Sequence, residues 1–137
     1  MDWAITVTST CSFEISYVRH NPYSGHTLVV GKGRGTIDFG EIYTWDGPEP
    51  CGPADEAFLF FVMLDTERRR GLWQTTMRSR DNNGFVHIEN ACLAANDSML
   101  FSIAWEGDLM LPSGRVERAG DARAGLLLRW GPARGDL

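Results

Sequence analysis

The chain has 137 residues, 43% hydrophobic and 23% charged, with a formal net charge of −5. That composition fits one globular domain able to bury its own core and excludes a disordered chain, a collagen and a coiled coil. The negative balance argues against nucleic-acid backbone binding as the main task, and the longest apolar run, Ala57 to Leu64, is far shorter than the roughly 20 residues of a membrane-spanning helix.

Trp3 to Thr8 alternates Trp3, Ile5 and Val7 with Ala4, Thr6 and Thr8, and Phe13 to Val18 alternates Phe13, Ile15 and Tyr17 with Glu14 and Ser16. Period-two alternation predicts two half-buried strands. The turn-rich run His20 to Gly25 leads into a third strand at His26 to Val30. Gly31-Lys32-Gly33-Arg34-Gly35 reads as a turn or bulge built on structural glycines. It lacks the spacing of a phosphate loop, and strand-like Thr36 to Trp45 follows where such a loop needs a helix. Asp46 to Pro53 is the longest loop. Ala57 to Arg70 has helix punctuation, with Pro53, Asp55 and Glu56 before it and Gly71 after. Phe58 to Leu64, however, is short, aromatic-rich and apolar on every side, which favours a strand buried on both faces and a hairpin loop at Glu67 to Gly71.

Leu72 to Ala94 reads as two strands hinged on Asn82-Asn83-Gly84, a strong signal for a tight hairpin. With Asn83 and Gly84 as the loop, Arg80 faces His87 and Arg78 faces Glu89, while Trp73, Met77, Val86, Ile88 and Cys92 fall on the core side. After a turn at Ala95 to Ser98, the alternation of Met99, Phe101, Ile103 and Trp105 predicts another half-buried strand. Arg115 to Ala119 and Ala124 to Trp130 either pair as a hairpin about Gly120-Asp121 or form a short Arg-rich helix. The expected fold is mainly β: one antiparallel meander over residues 1–130, closing as a barrel or a two-sheet sandwich, with a flexible tail at 131–137. One short helix, and hence an α+β fold, is the alternative.

Two groups of residues are candidates for binding. Arg78, Arg80, His87 and Glu89 would place two guanidinium groups, an imidazole and a carboxylate together, a set suited to a small anion, or else simply a solvated sheet face. Tyr43, Trp45, Asp46, Glu49, Asp55 and Glu56 form an acidic and aromatic segment suited to a basic protein partner, because aromatics anchor interfaces and acidic groups speed encounter. A plain solvated loop is the alternative there, and EF-hand spacing is lacking. Charge is uneven: Met1 to Thr66 has three basic and nine acidic residues, Glu67 to Leu137 ten and nine.

Three dispersed cysteines, Cys11, Cys51 and Cys92, do not make a disulfide framework, so reduced and mostly buried thiols are expected. Cys11, His20 and His26 are a metal set only if the fold gathers them, and no metal or cofactor is expected. Asn96-Asp97-Ser98 and Arg134-Gly135-Asp136 match glycosylation and cell-adhesion patterns that carry meaning only in a secreted protein. No Gly-x-Ser-x-Gly elbow or other sequence-local nucleophile is present. The N-terminus has no signal-peptide organisation, and twelve Arg against one Lys suit a high-GC bacterial genome. The leading expectation is a small, soluble, non-catalytic, cytoplasmic protein that binds a protein partner as an immunity or antitoxin factor does. Its rivals are a β-barrel holding a small anionic ligand through Arg78, Arg80 and His87, an enzyme using His87 and Glu89 as acid and base, and a homo-oligomer subunit.

Overall fold

The computed structural model of the chain describes residues 6–34, 37–39, 44–45, 58–79, 86–111 and 114–130. In chain order the strands are β1 Thr8–Ser9, β2 Ser12–Asn21, β3 His26–Arg34, β4 Ile37–Asp38, β5 Thr44–Trp45, β6 Phe58–Asp65, β7 Arg70–Ser79, β8 Val86–Leu93, β9 Met99–Met110 and β10 Val116–Trp130. Among the described residues there is no helix, and so none long and apolar enough to cross a membrane. The main sheet runs β10-β9-β7-β6-β3-β2 with β8 also pairing β9, and a small sheet runs β1-β4-β5. All pairs are antiparallel. The fold is mainly β, a strongly curled sheet that forms a half-barrel.

Phe58–Asp65 is the strand at the centre of the molecule, and every one of its positions is buried. Leu59, Phe61 and Met63 point to the inside of the curl. There they meet Leu28 and Val30 of β3, Trp73 and Met77 of β7, and a facing layer of Val86, Ile88, Met99, Phe101, Ile103 and Trp105. Phe58, Phe60, Val62 and Leu64 point the other way and pack with Val29, Ile37 and Phe39. Phe61 stacks on Phe101 with ring centroids 4.9 Å apart, tying the two layers together. A run that is apolar on every side thus finds an apolar partner on both faces, which a strand in the middle of three layers provides and a surface helix does not.

Gly31 to Arg34 of the glycine run are part of β3 itself, and Gly35 lies outside the described residues. A β-carbon at Gly31 would be driven into the Glu14 carbonyl oxygen and the Phe60 ring, so the absent side chain is what lets β2 and Phe60 close on the strand. The expected bulge lies in the facing strand, where β2 shifts register between Ile15 and Tyr17 opposite Gly31 and Val30.

The register expected around Asn82-Asn83-Gly84 is not the one the sheet uses, and the turn itself lies outside the described residues. β7 pairs with β6, placing Arg78 opposite Phe58, and its end pairs with β9, placing Arg78 opposite Met110 rather than Glu89. β8 pairs with β9. Burial accounts for the difference: lying beside β9, the β8 side chains Val86, Ile88 and Ala91 join the core cluster that contains Phe61 and Met63. A register shift between Ile88 and Asn90 then reverses the alternation. It puts Ala91 inside and leaves Cys92 exposed, the reverse of the expected arrangement.

Two further expectations change. Val116–Trp130 is one strand, neither a hairpin nor a helix. β9 bends at Gly107, which has φ 74° and faces Gly120 of β10, so two facing glycines absorb the distortion without breaking either strand. Cys11 is disulfide-bonded rather than reduced, while Cys51 lies outside the described residues. Of the first expected strand, only its end falls within the described β1, where Thr8 faces Asp38. The 131–137 tail is also outside the described residues.

The edge strand β2 and the strand β8, which pairs only with β9 among the described residues, are joined by side chains. The Tyr17 hydroxyl donates to the Glu89 carbonyl. Arg19 Nε donates to the Ala91 carbonyl at 2.9 Å, and Asn21 Nδ2 to those of Ala94 and Ala95 at 3.0 and 2.9 Å. Residues 17, 19 and 21 alternate along β2, so all three face the seam.

Candidate functional site

The densest polar cluster among the described residues lies where three turns meet at one end of the half-barrel. Residues 22–25 join β2 to β3, residues 66–69 join β6 to β7, and residues 94–98 join β8 to β9. Thr66 donates to the Gly25 carbonyl from its amide at 3.2 Å and its hydroxyl at 2.6 Å. Asp97 is the hub: only 6% exposed, it holds the left-handed φ of 67° that Asp tolerates better than most residues. Its Oδ1 accepts from Asn21 Nδ2 at 2.7 Å and Ser24 Oγ at 2.8 Å, and its Oδ2 lies 2.7 Å from His26 Nδ1.

An imidazole oriented by a buried carboxylate through Nδ1 presents Nε2 as its remaining nitrogen, the arrangement of a general base. Here, however, the nearby hydroxyl of Ser24 is bonded to Asp97 and not to the imidazole, so the dyad does not activate it as a nucleophile. What the arrangement does chemically is fasten the β2–β3 turn to the β8–β9 turn through a charge-assisted network. The end of β6 contributes Asp65, which faces His26 across the ladder. Asp65 accepts from the Arg68 amide at 3.2 Å and pairs with Arg68 Nη1 at 3.2 Å.

Burial alone would raise the Asp65 pKa, but the Arg68 amide and guanidinium, with the charge of His26, hold it below the ordinary carboxylate value. A depressed folded pKa contributes stability that is present above the unfolded pKa of about 3.9 and is lost as pH falls through the lower folded value. Urea midpoints measured from neutral to acid pH should therefore fall on acidification in the wild type and depend less on pH in Asp65→Asn. Parallel curves for the two proteins would assign the acid sensitivity to another group.

The candidate anion cluster is not gathered into one place. Arg78 is exposed at the end of β7, whereas His87 is half-buried on β8. Their β9 partners, Met110 and Ala104, are six positions apart, about 20 Å along a strand. Glu89 is exposed at the β8 bulge, and Arg80 lies outside the described residues. Of the acidic aromatic segment, Trp45 is placed in β5 with its backbone opposite Ile37, while Tyr43, Asp46, Glu49, Asp55 and Glu56 lie outside the described residues. His20 and His26 occupy successive rows of opposite facing: His20 Nδ1 meets Thr27 Oγ1 at 2.9 Å while His26 turns to Asp97. Among the described residues, no group of three His, Cys, Asp or Glu is placed to hold a metal ion.

The Asn21, Ser24, His26 and Asp97 cluster was not legible as a cluster, because Asp97 stands 71 residues from His26 in sequence. The available signal was Asn96-Asp97-Ser98 read as a turn, since Asn and Asp favour left-handed positions. Comparison with known protein families, with curated proteins and with solved structures returns no match.

Proposed function

We propose that the protein is a small, non-catalytic binding protein that engages a basic protein partner through its acidic first half, in the manner of an immunity or antitoxin factor. The observation that carries this reading is the corner where β2, β3 and the small sheet meet. Phe13 faces Gly33, Gly33 faces Phe58 on its other side, and the Ile37 side chain lies over Gly33 with its backbone opposite Trp45. Trp45 and Phe58 are the described residues that bracket, in sequence, the segment holding Asp46, Glu49, Asp55 and Glu56. On the same face of β2, Phe13, Ile15 and Val18 are 38%, 41% and 53% exposed. An exposed apolar strip supplies anchors, and the nine acidic against three basic residues of Met1 to Thr66 supply steering charge.

The packed interior favours this reading over a ligand held inside the barrel, since Phe61, Phe101 and Ile103 occupy the space between the layers. The disulfide at Cys11 weighs toward an oxidising compartment and against the cytoplasmic location that the N-terminal sequence suggests.

Pull-down from a lysate of the source cells followed by native mass spectrometry tests the surface. The wild type is compared with an Asp46→Ala, Glu49→Ala, Glu56→Ala triple variant and with Ile15→Lys, Val18→Lys. Wild type should retain a basic partner in a salt-sensitive way, and each variant should weaken retention by about tenfold. Equal retention by all three proteins, or no stoichiometric partner for the wild type, would remove this surface from consideration.

A further inference from the structure

The β8 bulge that turns Cys92 outward also places it at a cavity. Cys92, Asn96, Ser98, Leu100 and Arg129 are among the residues lining a cavity of about 420 Å³ beside the β8–β9 turn, a size suited to a small molecule. Cys92 is a free, exposed thiol. Cys92 faces Leu100 and Leu100 faces Arg129, so the three form one row across β8, β9 and β10. Thiol and guanidinium thus rise from strands two spacings apart, about 10 Å. Arg129 is exposed. Ser98 is a second and independent sign of an occupant. It is 6% exposed, and its hydroxyl has no hydrogen-bond partner, a deficit that a bound carboxylate or amide would make good.

We propose that this cavity is a thiolation site for a carboxylate-bearing, low-molecular-weight thiol of small-peptide size, held on Cys92 as a mixed disulfide and gripped at its carboxylate by Arg129. The co-reactant is the symmetrical disulfide of that thiol. The Cys92 thiolate attacks one of its sulfurs, the Cys92 Sγ–S bond forms and the original S–S bond breaks. The second thiol leaves with the electron pair and takes up the proton that Cys92 released. Cys92 is oxidised and the departing half of the disulfide is reduced. The span from thiol to guanidinium selects a thiol with a carboxylate several bonds from its sulfur, and a fork-shaped donor suits that group. An oxidising compartment, toward which the Cys11 disulfide points, is one in which such disulfides persist.

The test uses the full chain, oxidised glutathione as the charged probe and hydroxyethyl disulfide as an uncharged one, with intact mass under non-reducing conditions as the readout. One glutathione adduct is expected on the wild type and none on Cys92→Ser. Arg129→Met should slow the glutathione reaction by about tenfold and leave the hydroxyethyl disulfide rate unchanged, which also shows that the site remains folded. Ser98→Ala should slow the glutathione arm by a smaller factor. Equal rates for wild type and Arg129→Met with glutathione disulfide would reduce Cys92 to an exposed thiol without a site. Disulfide-linked dimers as the main product, or equal slowing of both probes, would likewise overturn the proposal.

Discussion

Gly31→Ala is expected to lower stability by about 3 kcal/mol, the upper end of the range for overpacking a core. The added carbon meets the Glu14 carbonyl oxygen on one side and the Phe60 ring on the other. Neither can yield easily. The first belongs to the backbone of β2 within the β2–β3 ladder, and Phe60 is only 1% exposed in the cluster under the small sheet. Gly33→Ala provides the contrast, because its added carbon would lie 2.7 Å from Ile37 Cδ1, the end of a flexible side chain. A χ rotation relieves that clash, so its cost should be nearer 1 kcal/mol. Urea unfolding of the two variants measures the difference. Gly33→Ala proving as damaging as Gly31→Ala would mean that the cost arises from strand propensity and not from the closeness of β2 and Phe60.

These glycines show where the sequence was readable and where it was not. Phe58 to Leu64 was legible as a doubly buried strand because its hydrophobicity has no period, and only a central strand satisfies that. The alternation of β9 was legible for the converse reason, with Met99, Phe101, Ile103 and Trp105 all buried, whereas the expected row of β2 is broken by the register shift between Ile15 and Tyr17, and Phe13 and Ile15 are exposed. Local pattern failed wherever pairing depended on distant chain. Nothing near Asn82-Asn83-Gly84 reveals that β9 is a better partner for β8 than β7 is, since that choice is made by the core that Val86 and Ile88 help to enclose. A single extra residue at the β8 bulge then inverted the facing of Ala91 and Cys92, which alternation alone assigns the wrong way round. The anion cluster rested on that register and disperses with it. The thiol of Cys92, expected inside, is instead one of the reactive groups open to solvent.

The Asp97 hub carries the other large expected effect, and its variants should rank by mechanism. Asp97→Ala removes the acceptor of Ser24 and the partner of His26, and it takes one of three acceptors from Asn21. Breaking such a buried network by removing one partner costs about 3 to 5 kcal/mol. The lower end applies here, because Asn21 keeps the carbonyls of Ala94 and Ala95, and the His26 side chain, 23% exposed, can reach water. Alanine also inherits the φ of 67°, for which a residue with a β-carbon is disfavoured by roughly 1 kcal/mol. Asp97→Gly loses the same hydrogen bonds without that strain and should therefore be the more stable of the two by a similar amount. Asp97→Asn keeps a carbonyl oxygen for Asn21 and Ser24 and should be the mildest of the three. Because Asp97 ties the β2–β3 turn to the end of the β2–β8 seam, its loss should show in hydrogen exchange first. The amides of Gly25, Thr66 and Ser98 lie around the hub, bonded to Asn21, Gly25 and Asn96 respectively, and they should lose protection before those of β6. If Asp97→Ala lowers the urea midpoint while these amides exchange only with global unfolding, Asp97 is one more buried contact and not the clasp that closes the half-barrel.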